Sequence, residues 1–233
     1  MKGKSEISNE AEEYLEAIYR LEETYGIAKT MQLVRLLKVA PGSVTNTIEH
    51  LEKHELVLHT PYKGVKLTAK GRRIALKILR KHRLAERLLT DFLKIEWSDV
   101  HELACKLEHA MVDQIVFGME KALGYPKTCP HGNPIPPEHG VTKNKKGDIP
   151  LSQLETNEHG VIAKITDENR EKLRLLADLG LKPGVRICMV HKTLNDMKIR
   201  ITGKTRNKGP IHPILDNKTA ATVWVKVSKV RDK

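Results

Sequence analysis

Cysteine, aromatic residues and long apolar runs are all scarce in this chain, and each scarcity excludes something. The three cysteines, Cys105, Cys129 and Cys188, are odd in number, far apart and never arranged as C-x-x-C. Neither a disulfide framework nor a cysteine-only zinc site is therefore indicated, and a reducing cytosol is expected. Aromatics make up 4% of the residues, too few for the stacking platforms of single-strand nucleic-acid binders. No stretch approaches the roughly 18 consecutive apolar residues of a membrane-spanning helix. The first 25 residues hold no apolar core of a cleavable signal, so a cytoplasmic protein without membrane contact is expected. A length of 233 residues leaves room for two or three small domains, each with a modest core.

What the chain has in excess is positive charge, +12 in all, and its distribution is informative. Residues 5–25 hold seven Glu against one Arg. From Lys29 to Arg73 nine Lys/Arg face Glu49, Glu52 and Glu55, residues 76–140 balance at zero, and residues 141–233 carry twenty Lys/Arg against ten Asp/Glu. A phosphate backbone is the natural partner of the first basic block.

Periodicity divides the chain into modules. Tyr14, Leu15, Ile18, Tyr19 and Leu21 predict a helix over 11–23 with an acidic face, with Ser8 or Asn9 as its cap and Gly26 as its stop. Thr30 is expected to cap a short helix bearing Leu33, Val34, Leu36 and Leu37. After Ala40-Pro41-Gly42, Val44, Ile48 and Leu51 mark another, whose outer face shows Ser43, Thr45, Asn46 and Thr47. Two short helices joined by a tight turn make a helix-turn-helix. Alternating residues on either side of Pro61-Tyr62-Lys63-Gly64 predict a two-stranded wing. Ser43, Thr45, Asn46 and Thr47 are the expected groove contacts, with Asn46 able to read adenine. Lys63 and Lys66 on the wing, and Arg72 or Arg73 after it, are expected near phosphates.

A long helical pattern follows from Ala69 to Phe92, and a second from a cap at Ser98 to Leu123. Their apolar stripes are wider than lone surface helices need, which predicts dimerisation. Residues 125–150 lose periodicity, hold six of the eleven prolines and read as linker. Short strands then recur at VIAKI, VRICMVH, KIRIT and ATVWVKV, with one helix from Asn169 to Leu179, a pattern that suggests a small SH3-like β-barrel. The expected fold is mainly α with small β. It comprises a winged helix-turn-helix over 1–74, a helical metal-binding and dimerisation domain over 75–140, a linker over 141–150 and the barrel over 151–233.

The chemistry lies between Lys81 and Met111. At 100° per residue His101, Cys105, Glu108 and His109 fall at about 0°, 40°, −20° and 80° on one helix, and His82 and Glu86 stand one turn apart on the helix before it. Antiparallel helices could join these faces, and Glu13 and Glu16 could complete them. Imidazole, carboxylate and one thiolate suit a divalent first-row transition metal better than Mg²⁺ or Ca²⁺. Cys129 and His131, two residues apart in a proline-rich loop, read as packing residues, and Cys188 as core.

The string from Arg80 to Met111, the sequence CPHGNPIP at Cys129 to Pro136, the winged helix, and LRLLADLGLKPG at Leu173 to Gly184 together resemble the diphtheria-toxin-repressor family of iron- or manganese-dependent transcriptional repressors. The resemblance spans nearly the whole chain and names the last domain as FeoA-like. It implies a homodimer that takes Fe(II) or Mn(II) as co-repressor and then binds palindromic double-stranded operator DNA before metal-uptake genes. It also implies one metal site at His82, Glu86 and His101, and a regulatory site at Cys105, Glu108, His109 and Glu13. At the last position iron regulators carry methionine; manganese regulators carry aspartate, with glutamates at the places of Glu16 and Cys105. Both metals stay open. Asp167, Glu168 and Glu171 lie near the stretch from which the barrel domain of iron regulators lends polar ligands.

The physical expectation is that metal relieves repulsion in the acidic first helix and sets the spacing of two recognition helices, so that metal and DNA tighten one another. Two rivals are weighed. HELAC at His101 to Cys105 is one residue from the H-E-x-x-H zinc-hydrolase motif, with Glu102 as its base. The other rival is a metal-sensing adaptor that does not bind DNA, working through the FeoA-like domain.

Overall fold

The structure, a computed structural model, describes residues 8–138, 147–202 and 212–228. The expected linker over 141–150 lies mostly outside the described residues. The chain divides into two compact units, Met1–Lys81 with Pro136–Gly140, and His82–Ile135 with Val141–Lys233.

In the first unit, helix α1 (Asn9–Tyr25) begins where the Ser8 side chain accepts a hydrogen bond from the Ala11 N–H, and ends at Gly26 in the left-handed region. Helix α2 (Thr30–Leu37) has Lys29 rather than Thr30 at its cap position, and the Gln32 side chain accepts from the Lys29 N–H at 2.9 Å. Thr30 is already the first helical residue. Helix α3 (Pro41–Lys53) starts at proline, whose missing N–H is one that a helix start leaves unbonded anyway.

Strands β1 (Val57–Thr60) and β2 (Gly64–Leu67) pair antiparallel, and Ala28 bridges to Val65 as a third partner. The wing is therefore hydrogen-bonded to the body of the unit. Glu22 of α1 reinforces it, accepting from the Leu67 N–H at 2.7 Å and pairing with Arg72. One core joins Tyr14, Leu15, Ile18, Leu33, Val44, Ile48, Leu51, Leu56, Val65 and Leu79.

Helix α4 (Ala69–Arg87) starts after Thr68, whose hydroxyl accepts from the Gly71 N–H, and its last six residues belong to the second unit. A π-helical turn, Leu88–Phe92, extends it. The expected second long helix is instead two helices, α5 (Val100–Glu108) and α6 (Asp113–Ala122). Val112 between them is extended, and Asp113 puts a carboxylate in the first turn of α6, where it suits the helix dipole. Ser98 does not cap α5. Its hydroxyl bonds to the Asp99 carboxylate, and Asp99 holds the cap position. Leu84, Ala85, Leu89, Val100, Ala104, Met111, Met119 and Ile135 form the core here.

The remainder of the second unit is one antiparallel sheet of order β3-β8-β4-β5-β6-β7, made of β3 (Asp148–Pro150), β4 (His159–Ile165), β5 (Arg186–Lys192), β6 (Asp196–Ile201), β7 (Ile214–Asp216) and β8 (Val223–Ser228). Register shifts at Ile162/Lys164 and Met189/His191 bend the long strands around a single core. Helix α7 (Arg170–Asp178), capped by Asn169, packs Leu173 and Leu176 into that core, and the short α8 (Asn217–Ala220) adds Ala220. The residues form the small β domain that the strand pattern predicts.

Candidate metal centre

The last turn and a half of α4 presents His82 and Glu86, both fully buried. A buried imidazole and a buried carboxylate one turn apart need partners, and the second unit supplies them from three places. From α5, His101 Nδ1 lies 3.0 Å from His82 Nε2 and 3.4 Å from Glu86 Oε1. From the same helix, Glu108 Oε2 lies 2.7 Å from His82 Nδ1, and Cys105 Sγ 3.9 Å from it. From the loop after β4, Glu168 Oε2 lies 3.4 Å from His101 Nδ1. From the loop after α6, His131 Nδ1 lies 3.2 Å from Glu86 Oε1 and 3.5 Å from Glu168 Oε1.

These donors fall into overlapping groups whose ligand atoms all lie within 4.8 Å of one another: His82, Glu86, His101 and Glu168; Glu86, Cys129, His131 and Glu168; His82, His101 and Cys105. The grouping brings together the expected His82, Glu86 and His101. It also joins Cys105 and Glu108 to them through His82, where the sequence suggests two separate sites. His109 caps α5, with Nε2 3.4 Å from Glu108 Oε1. Glu13 and Glu16 lie on α1 in the first unit, Glu13 exposed and Glu16 paired with Arg20 at 2.7 Å.

Cys129 and His131 are the main surprise. They are buried donors beside Glu86 and Glu168, and the stretch 126–135 is fixed rather than a linker. Arg87 of α4 donates to the Thr128 carbonyl at 2.7 Å, and Arg83 donates to the Pro134 carbonyl. Gly132, at φ +86°, lets the loop press on β4, since a Cβ there would stand 2.1 Å from the Ala163 carbonyl oxygen. The Ile165 N–H donates to the His131 carbonyl at 2.8 Å. His131 Nε2 is engaged by the Trp97 carbonyl at 3.0 Å, which turns Nδ1 towards the carboxylates. Asn133 orients Glu168 by donating from Nδ2 at 2.8 Å. Of the three acids suggested in this region only Glu168 enters the cluster; Asp167 pairs with Lys172, and Glu171 is exposed on α7.

Burial pushes the Glu86 carboxyl up, but the His82 and His131 charges and the hydrogen bonds of His101 and His131 outweigh it and hold Glu86 well below the usual range. Burial likewise lowers His82 and His131, yet Glu86 first, and then their other partners, lift both imidazoles well above the ordinary histidine range. Burial raises the Cys129 thiol, and Glu86 adds to it. The pocket is thus acidic and calls for positive charge, which protons on the histidines supply. Glu86 Oε2 is buried without a hydrogen-bond partner. An unsatisfied carboxylate oxygen inside a cage of nitrogen, oxygen and sulfur donors fits a divalent transition metal. Glu102, the base a hydrolase would need, is exposed and in none of the donor groups.

In the first unit Ser43, Thr45 and Asn46 are exposed on α3, as are Lys63 and Lys66 on the wing and Arg73 on α4. Thr47 is half-buried, facing Tyr14 of α1. Arg72 pairs with Glu22 and lies 5.4 Å over the Tyr19 ring, so its charge is spent inside the unit. Tyr62 in the wing turn, not among the expected DNA contacts, is fully exposed at φ +63°.

Comparison with known proteins agrees with this architecture. Models of the iron dependent repressor N-terminal DNA-binding domain, of the iron dependent repressor metal-binding and dimerisation domain, and of the FeoA domain match residues 6–65, 68–137 and 149–227. The iron-dependent repressor IdeR of Mycobacterium leprae is 30% identical over 85% of this chain and 91% of its own length. IdeR of Mycobacterium tuberculosis is 32% identical over 78% and 84%. Among solved structures, a manganese-dependent transcriptional repressor in complex with manganese superposes with a TM-score of 0.86 at 28% identity, covering 94% of this chain and all of that one. IdeR of T. acidophilum gives 0.78 at 29% identity over 98% and 100%. With three domain types matched in order and relatives aligned along most of their length, the chain belongs to the diphtheria-toxin-repressor family of iron-dependent repressors.

Proposed function

We propose that the chain is a homodimeric transcriptional repressor, working in the cytoplasm, that takes Fe(II) or Mn(II) at this centre and in that state binds palindromic operator DNA before metal-uptake genes. The observation that carries the reading is the buried cage around Glu86, built from two helices, a loop and the FeoA-like domain. His82, Glu86, His101 and Glu168 would hold one ion, with Cys129 and His131 on the far side of Glu86. Cys105, Glu108 and His109 make up the regulatory donors. A bound dication supplies positive charge that carboxylates and imidazoles share without protons.

Asn133 and the Trp97 carbonyl orient Glu168 and His131 towards the centre, as outer partners of metal ligands do. Whatever arrangement of the recognition helices the loaded protein favours, operator DNA that selects it must tighten metal binding by the same factor. Cys105→Ser, Glu108→Ala and His109→Ala should each abolish metal-dependent operator binding while the dimer persists. A gel shift with and without metal tests this, and retained metal dependence in all three would contradict the regulatory assignment. Glu13→Gln and Glu16→Gln test the corresponding expectation for α1 in the same assay.

Because the neighbouring carboxylates lift His82 and His131 above the ordinary histidine range, metal uptake should release protons. Affinity should therefore climb as pH rises through and beyond the ordinary histidine range, and fall in acid. Calorimetry in two buffers of different ionisation heat should report that release, and a buffer-independent heat would count against the centre.

Ser43, Thr45, Asn46 and Thr47 are the proposed groove contacts, Thr47 through its exposed part. Lys63, Lys66 and Arg73 are the proposed phosphate contacts, with Arg72 now the weaker candidate because Glu22 holds it. Lys63→Gln and Lys66→Gln should weaken binding on every sequence and each reduce the salt slope by about 1 unit. Asn46→Ala should change sequence preference by about 1–3 kcal/mol at one base pair. Competition binding with single-base operator variants separates the two effects.

A further inference from the structure

The FeoA-like sheet has a face that nothing in the metal centre uses. Along a strand alternate residues point to opposite sides, and the buried set Ile162, Ile187, Met197, Ile199, Val223 and Val225 fills the inside. On the outside the register sets Val161 opposite Lys226 of β8 and Arg186 of β5. It sets Cys188 opposite Arg200 of β6, and Lys198 opposite Ile214 of β7.

Arg186, Lys198, Arg200 and Lys226 are all exposed and, among the described residues, none makes an ion pair. Two acids of this face flank the cations, Asp148 on edge strand β3 opposite Lys226, and Asp196 at the start of β6 opposite Asp216 and two residues before Lys198. Trp224, half-exposed, lies on the same face with the Lys164 ammonium 4.7 Å from its ring centre.

A surface that only keeps a protein soluble mixes both signs. Here cations run from β8 to β6, three strand spacings or about 14 Å, without an acid between them. That width is close to the ~12 Å major groove of B-DNA, whose two walls are phosphate. The four side chains come from three different strands, so their spacing is set by the sheet rather than by a flexible tail.

We propose that this face is a second, sequence-independent DNA-binding surface that takes the phosphate backbone of duplex DNA. It rests on the DNA-binding reading above. DNA held by α3 is presented to the rest of the same molecule at high effective concentration, so even a weak phosphate contact is populated. The face offers charge without the row of amide side chains that base reading needs, so its contribution is affinity and footprint, not choice of site.

The test uses the full-length protein carrying Arg186→Gln, Lys198→Gln, Arg200→Gln and Lys226→Gln together, on operator DNA extended by about two helical turns at each end. Binding is measured from 50 to 200 mM salt. Parent and variant should differ in the slope of log K against log salt by about 2 to 4 units, so that the salt-induced loss of affinity is smaller in the variant by roughly 250-fold at the upper limit. Equal slopes overturn the proposal.

The pair Lys198→Gln/Lys226→Gln, which replaces two exposed side chains only, should give about half the change by itself, and no change overturns the proposal even if the fourfold variant folds poorly. Arg186→Lys/Arg200→Lys should keep the parental slope; loss there would assign the effect to packing near Cys188 and count against charge. Variant-sensitive binding to phosphatidylserine vesicles with an unaltered DNA slope would hand the face to membranes and likewise overturn the idea. Repeating the slope on metal-free protein with mixed-sequence DNA keeps the two readings apart. If metal does not strengthen operator binding, the repressor reading fails, while this slope still decides the role of the sheet.

Discussion

Glu86→Gln should lower the affinity for Fe(II) or Mn(II) by at least ~100-fold and remove metal-dependent DNA binding, with secondary structure and dimer retained. Losing an outer partner of a metal ligand costs about 10–100-fold in metal affinity, and losing a ligand itself costs at least as much. Glu86 and Glu168 are the two residues shared by the group that holds His82 and His101 and the group that holds Cys129 and His131. Glu86 is fully buried, and is held ionised by His82 and His131 in spite of that burial. The amide keeps the volume and takes away the charge. His82 and His131 then lose the partner that raises them most, and fall back towards neutral imidazoles that bury at lower cost. The fold thus tolerates the change better than the centre does. Metal titration of the purified variant, alongside its thermal melt, reads both effects. An affinity within a few-fold of the parent would remove Glu86 from the centre.

Phe117→Glu should convert the dimer to monomers at micromolar concentration and weaken operator binding by roughly 30-fold or more, while metal affinity stays. Helix α6 buries Met119 and packs Val116 and Leu123 against the core. Phe117 points away from that stripe and is 64% exposed, with Val112, Ile115 and Leu107 also exposed nearby in sequence. Large apolar side chains left bare on a helix mark an association surface, and residues 68–137 match a dimerisation domain. Truncating a central aromatic anchor commonly costs 2–4 kcal/mol, and a carboxylate in its place adds desolvation. Sedimentation at several concentrations measures the first effect. A dimer as tight as the parent's would place the subunit contact elsewhere.

The helices, the wing and the order of domains were legible because amphipathic periods of 3.6 and 2 are local signals. So were His82 with Glu86, and His101 with Cys105 and Glu108, since helical spacing alone puts them on shared faces. The break between α5 and α6 left no such mark. The stretch from His109 to Asp113 contains neither proline nor glycine, and tertiary packing of Met111 decides the conformation there. Which of Asp167, Glu168 and Glu171 joins the cluster, and that His131 does, were hidden for another reason. Glu168 and His131 come from loops 82 and 45 residues beyond Glu86, and nothing in a loop's own pattern states which helix it will touch. CPHGNPIP could have raised suspicion: a histidine and a cysteine next to a glycine are what a loop needs to bring donors close to a strand, as Gly132 does against Ala163. The polar face of α3 was legible, but the pairing of Arg72 with Glu22 was not, because it joins helices 50 residues apart.

Metal-dependent repression requires that one molecule bind metal and DNA cooperatively. The direct measurement is the affinity of the full-length protein for a promoter fragment carrying its operator, taken anaerobically with saturating Fe(II) or Mn(II) and again after chelation. A large gain in affinity and selectivity with metal, matched by an equal gain in metal affinity when the DNA is present, is the predicted result. Equal binding by the stripped and the loaded protein would contradict it.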